Sequence, residues 1–158
     1  MSEKTKVPTP AESSTATSLP TIYHSSRIKD RNSVFVAHAI SISTKKNVEN
    51  FKNILELEEK NATNYILAFR MENVDGTLVE ESDDDGERYA GERLLNLLKT
   101  LDVKNVAVIV TRWFGGVLLG PVRFEHILKC AREVLDHGAF VGNRNMLSSI
   151  KHSSATLL

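Results

Sequence analysis

The stretch Val106-Ala107-Val108-Ile109-Val110-Thr111 runs without a charge and then breaks into Arg112-Trp113-Phe114-Gly115-Gly116-Val117-Leu118-Leu119-Gly120-Pro121. An apolar run of strand length bounded by a glycine turn reads as a fully buried central strand. Pro121 suits the first turn of a helix. Beyond it Phe124, Ile127, Leu128, Ala131 and Leu135 form an apolar stripe, with Arg123, Lys129 and Arg132 elsewhere, until Gly138 ends the helix. Strand, glycine turn and helix form the unit around which the remainder must be arranged.

Upstream, Val34 to Ser43 alternates partly and carries enough β-branched residues for a first strand, preceded by the turn-like Asp30-Arg31-Asn32. Thr44 then caps a helix with Val48, Phe51 and Leu55 on one stripe. Asn64 to Met71 reads as a second strand, and Asp75-Gly76 as a hairpin-type turn into Thr77 to Val79. The leucine-rich Glu92 to Leu101 reads as another helix. The order β-α-β-β-α-β-α predicts an α+β fold, a two-layer α/β sandwich with helices on one sheet face.

The chain has 158 residues and 41% hydrophobic content, which suits a single packed domain. Residues 1–20, rich in Ser, Thr, Pro, Glu and Lys, predict a disordered tail. Residues 142–158 predict a flexible one, which leaves 21–141 as the folded domain. A single cysteine, Cys130, forms no internal disulfide, and no signal-like apolar region opens the chain, so a cytoplasmic location is expected. No apolar run approaches the roughly 20 residues that cross a bilayer, so no membrane partner is expected.

Two features carry chemistry. From Glu72 to Glu87 there are eight carboxylates and no Lys or Arg, which leaves 12 acidic against 20 basic residues in the remainder. This acidic loop suits a cation, a basic partner, or the positive end of the helix that follows. Glu81, Asp83, Asp85, Gly86 and Glu92 fall on EF-hand positions, but Glu replaces Asp at the first and the preceding segment reads as strand, so calcium is not expected. In the second feature, Arg112, Trp113 and Phe114 offer stacking surfaces and Gly115, Gly116 and Gly120 let a ligand approach the backbone. The same residues also describe a tight turn whose aromatics pack inward. Neither glycine-rich nucleotide fingerprint is met.

Catalysis has little support: Cys130 lies mid-helix without a base, His24, His38 and His126 are isolated, and Ser82 has no nucleophile elbow. No catalytic residue, metal or cofactor is expected. The weakest alternative is a metal-assisted hydrolase built on Asp84, Asp85 and Glu87.

The motifs Asp84-Asp85-Gly86-Glu87, Ala90-Gly91, Arg93-Leu94-Leu95, Asp102-Val103-Lys104-Asn105-Val106, Arg112-Trp113-Phe114-Gly115-Gly116 and Leu119-Gly120-Pro121-x-Arg123-Phe124 resemble the Impact family. Cys130-Ala131-Arg132 continues the match, and Asp30 to His38 and Ala68-Phe69-Arg70 resemble that family's opening strands. Asn64 stands where relatives usually carry His, and Arg88 where Pro or Thr is common, so no role of that His carries over. The resemblance implies a fold similar to the second domain of ribosomal protein S5. It also implies a non-catalytic role in translation control, through the starvation-response kinase pathway and association with ribosomes or actin. The N-terminal segment is too short for the family's RWD domain, so the shared domain alone is expected. RNA or a nucleotide bound at the Arg-Trp-Phe-Gly-Gly turn is the alternative. Binding is expected through Asp84, Asp85, Gly86, Glu87, Gly91, Arg93, Arg112, Trp113, Phe114, Gly115, Gly116, Gly120 and Arg123. A pairing of Arg112 with Asp84, Asp85 or Glu87 across the fold would instead be a structural ion pair.

Overall fold

A computed structural model describes residues 20–141. The two expected tails lie, apart from Pro20, outside the described residues. Among the described residues the elements follow in the order β1 (Tyr23–His24), β2 (Ile28–Asp30), β3 (Ser33–Ser41), α1 (Lys45–Glu58), β4 (Asn64–Glu72), β5 (Leu78–Asp83), α2 (Ala90–Thr100), β6 (Val106–Trp113) and α3 (Val122–His137). The strands form one antiparallel sheet in the order β1-β3-β6-β4-β5, with β2 also on the outer side of β3. The uncharged run Val106–Val110 is the centre, paired along its length to β3 (Val34↔Trp113 through Ser41↔Val106) and to β4 (Asn64↔Arg112 through Arg70↔Val106).

Side-chain alternation divides the apolar residues between two faces. Phe35, Ala37, Ala39, Ile66, Ala68, Val106, Val108 and Val110 meet Leu94 and Leu98 of α2 and Ile127, Val134 and Leu135 of α3. The sheet with α2 and α3 on this face is the α/β sandwich expected from the sequence, but α1 packs on the other face, so the expectation of helices on one sheet face alone does not hold. The opposite face adds a smaller layer, in which Ile40, Phe69, Ala107 and Ile109 meet Val48, Phe51 and Leu55 of α1. A five-residue apolar run on the central strand follows from this arrangement, because helices cover both of its faces.

Local chemistry fixes the ends. Thr44 Oγ1 accepts from Asn47 N–H (3.2 Å) while Asn47 Oδ1 accepts from Thr44 N–H (3.1 Å), a reciprocal cap on α1. Arg31 and Asn32 do more than precede a strand: with φ of 45° and 72° they form the two-residue turn between β2 and β3, in which Asp30 pairs Ser33. The acidic run is also less of a loop than expected, since β5 continues through Asp83. Its carboxylates meet bases from three other elements: Glu80 with Arg70 (2.7 Å) and Lys99 (3.6 Å), Glu81 with Lys45 (2.7 Å), and Asp83 with Lys52 (3.9 Å). Among the described residues, no helix is long and apolar enough to cross a membrane.

Candidate functional site

Asp84, Asp85, Gly86 and Glu87 form the turn between β5 and α2, and each has a different duty. Asp84 accepts from Tyr89 N–H (3.0 Å) and Gly91 N–H (2.7 Å), which satisfies backbone donors that the start of α2 would leave open. Gly91 is buried against this turn, where a Cβ would stand 2.8 Å from the Asp83 carbonyl carbon. Asp85 accepts from Tyr65 N–H (2.8 Å), and its carbonyl accepts from Asn64 Nδ2 (2.8 Å), which ties the turn to the start of β4. Gly86, at φ +90°, carries the chain past that Asn64 amide. Glu87 is buried. The carboxylates of Asp84, Asp85 and Glu87 therefore point to three separate partners and do not converge as a metal-assisted hydrolase would require. The EF-hand positions likewise separate, with Glu81 and Asp83 on β5, Asp85 and Gly86 in the turn and Glu92 on α2.

Glu87 is the partner of Arg112. Arg112 Nη1 donates to both Glu87 oxygens (2.9 Å each), and its Nη2 donates to Ser33 Oγ (3.2 Å). Arg123 Nε meets the same carboxylate at 2.5 Å, and its Nη1 donates to Gly120 O (2.8 Å). Side-chain exposure of 6% for Arg112 and 7% for Glu87 makes theirs a buried pair, and Arg123, 24% exposed, completes an Arg-Glu-Arg triad from the cleft side, which joins β6, the β5–α2 turn and the start of α3. Such a group is costly to desolvate and more costly to break. Among the described residues, the Arg112 Nε has no hydrogen-bond partner.

The Arg-Trp-Phe-Gly-Gly segment does not act as one surface. Arg112 follows Val110 toward the α2–α3 face, whereas Trp113 takes the α1 face. There its Nε1 donates to Lys60 O (3.1 Å) and Arg27 lies 5.2 Å from its ring centre. Phe114 returns to the side of Arg112, 5.5 Å from that guanidinium, with 45% of its surface exposed. Its N–H donates to Thr63 Oγ1 (2.8 Å), and Gly115 N–H donates to Ser33 Oγ (3.0 Å). A Cβ at Gly115 would lie 2.2–2.4 Å from backbone atoms of Asn32 and Ser33, so this contact requires glycine. Gly116 and Gly120 have φ of +96° and +66° and frame the exposed Val117 and Leu118.

An open cleft of ≈ 410 Å³ results, lined by Asn64, Glu87, Arg88, Arg112, Phe114 and Arg123 together with Thr63, Gly86, Leu118, Leu119 and Gly120. Of the residues expected at the site, Gly86, Glu87, Arg112, Phe114, Gly120 and Arg123 line it. Asp84, Asp85, Gly91, Gly115 and Gly116 support it from outside the lining. Trp113 lies on the other face, and Arg93 stands over Phe124 (4.2 Å from the ring centre), which Arg123 also approaches at 4.2 Å. Thr63, Asn64, Arg88, Leu118 and Leu119 are lining residues that sequence reasoning did not place in the site. Arg88 and Asn64 had a signal, since both depart from the pattern of the resembling family.

The chain is 46% identical over 120 residues to human Protein IMPACT and 45% identical over 120 residues to Protein IMPACT-B of Xenopus tropicalis, in each case 74% of this chain and 38% of the relative. It thus spans well under half the length of these curated relatives. A structure of Yih1, described as a two-domain translational regulator, matches with a TM-score of 0.53 at 34% identity, over 85% of this chain and 54% of that one. A crystal structure of a hypothetical protein matches with a TM-score of 0.60 at 18% identity, over 75% of this chain and 59% of that one, a likeness of fold alone. The Impact N-terminal domain matches residues 31–135, which takes in strands β3 to β6, the Arg-Glu-Arg triad and the cleft: the chain belongs to the Impact family.

Proposed function

We propose that this chain is a non-catalytic binding module of translation control that engages its partner at the Arg88–Phe114–Arg123 cleft. The observation that carries the reading is the division of labour among the polar residues. The carboxylates of the Asp84–Glu87 turn are committed to backbone donors and arginines within the fold, while exposed Arg88, Phe114 and Leu118 gather at one opening. An exposed aromatic and aliphatic group rimmed by arginine is the composition of a binding surface. The tie to translation rests on family membership and on the likeness to Yih1. The starvation-response kinase pathway, with contact to the ribosome or actin, is the route we assign on the same ground.

The test is a cell-free translation lysate dosed with the purified chain or with Leu118→Asp, a change at an 85% exposed position that leaves the core untouched. The wild-type chain is expected to change translational output in a dose-dependent way, and the variant to have lost that effect. Equal effects from both would remove the cleft from the reading, and no effect from either would remove translation.

A further inference from the structure

We propose that the cleft is a nucleotide site, with a phosphate monoester held by Arg88 and Arg123 and a base set against Phe114. The proposal rests on the reading of this cleft as the binding face and names its ligand.

Charge is the first ground. The lining holds three guanidinium groups, Arg88, Arg112 and Arg123, against one carboxylate, Glu87. Asp84 and Asp85 do not line the cleft, their carboxylates being turned to the N–H groups of Tyr89, Gly91 and Tyr65. The cleft therefore has an excess of two positive charges, and Arg112 brings one of them to a position 95% buried. A phosphate monoester carries about −1.5 to −2 at neutral pH and matches that excess, whereas a partner's carboxylate would leave half of it uncompensated. The start of α3 adds to the same field, because Gly120 lines the cleft and Pro121 supplies no side-chain cap to the helix donors behind it.

Shape is the second ground. A volume of ≈ 410 Å³ lies in the range of roughly 300–1,000 Å³ in which small ligands are held. Phe114 is 45% exposed with its backbone N–H fixed on Thr63, so its ring is presented from an anchored position. Aromatic rings held this way stack bases with little sequence preference. Arg88 makes no ion pair among the described residues, and its guanidinium lies 5.0 Å from the exposed Tyr89 ring, so a ligand can recruit it without breaking an internal bond. Trp113, which the sequence joined to Arg112 as a stacking partner, is excluded by its place on the other face.

The experiment is a titration of the ¹⁵N-labelled chain with adenosine 5′-monophosphate, adenosine, inorganic phosphate, a phosphoserine peptide and an RNA hexamer, each followed by amide shifts. Arg88→Ala and Phe114→Ala serve as variants, because both side chains are exposed and neither belongs to the triad. Saturable shifts of Gly86, Phe114 and Gly120 by adenosine 5′-monophosphate are expected. Binding should weaken about tenfold or more when the base or the phosphate is removed from the ligand, and similarly in each variant. Absence of saturation at millimolar concentration, shifts away from the cleft, or indifference to Phe114→Ala overturns the proposal. Binding of the phosphopeptide or the hexamer without the mononucleotide also overturns it and transfers the site to that class. Nucleotide binding without any effect in the translation lysate would sink the translational reading and leave this one standing. The reverse result would sink this one alone.

Discussion

Arg112 and Trp113 are neighbours in sequence and lie on opposite faces of the sheet. The guanidinium enters the Glu87–Arg123 triad, and the indole reaches Lys60 O at 3.1 Å. Their separation follows from strand periodicity, which alternates faces at every residue. Trp113→Phe, which keeps a ring on the α1 side, should therefore leave ligand binding in the cleft unchanged. A loss of binding equal to that of Phe114→Ala, measured in the same amide titration, would contradict the placement.

Removing Arg112 should damage the fold before it damages binding. Arg112→Ala leaves Glu87 buried with only Arg123 and empties the donor facing Ser33. A cost of about 3–5 kcal/mol is expected from breaking one side of a buried pair. Urea unfolding checks it, and an unchanged midpoint would show that the triad contributes little.

Gly115 and Gly116 should respond differently to alanine. At Gly115 the added Cβ would collide with the Asn32–Ser33 backbone, at a cost of at least about 3 kcal/mol. At Gly116 no described residue lies within 4 Å of an added Cβ, so only the positive φ resists, at about 1–3 kcal/mol. Thermal unfolding of the two variants side by side decides the order, and Gly116→Ala as the more damaging change would refute it.

Asp84 is expected to matter through α2. Asp84→Ala removes two acceptors from the start of that helix and should cost about 1–2 kcal/mol, with faster hydrogen exchange at the Gly91 amide. Unchanged exchange at Gly91 would mean that the cap is not what orders the turn.

His38 sets a pH dependence. Burial first, then the charges of His24 and Arg27, hold its imidazole down to about 3 from an ordinary 6.5. The groups facing it are His24 (2.8 Å), Thr111 (3.2 Å), Arg27 and Glu59 (3.8 Å), and with the ring neutral the Glu59 contact is not an ion pair. Between those two values the unfolded chain binds a proton that the folded chain refuses. Stability is thus fully present above 6.5 and is lost as the pH falls, by up to about 1.4 kcal/mol per pH unit from this group. Denaturation midpoints at pH 6.5 and at about pH 5, where most carboxylates are still ionised, should show the slope in the wild type and a flatter one in His38→Gln. Equal slopes would assign the effect to other groups.

Elements with a local signal were legible in the sequence. Thr44 opens α1, the uncharged Val106–Val110 run is the central strand, and the stripe from Phe124 to Leu135 is α3. β1 and β2 were not legible, because two or three residues are too few to display a period, and their existence depends on the edge of β3. Glu80, Glu81 and Asp83 disguised the second half of β5. Strand formation there depends on Arg70, Lys99, Lys45 and Lys52, which come from β4, α2 and α1. Reading α1 on the same side as the other helices failed for a related reason: an amphipathic stripe says that a face is buried, not which side of the sheet it meets. At the site, the pattern brought Arg112, Glu87 and Arg123 into one candidate list, but not Ser33, Thr63 or Asn64, whose small polar side chains matter only through partners distant in the chain.

The double anchorage of Phe114 and Gly115, on Thr63 and on Ser33, bears on how fast the cleft can be filled. Its rim is assembled before any ligand arrives, and the ordering entropy that a mobile loop would lose on binding is already spent in folding. Association then has no slow rearrangement to wait for. The on-rate is governed by diffusion and by the field of the arginines, so it should fall as ionic strength rises while the dissociation rate changes much less.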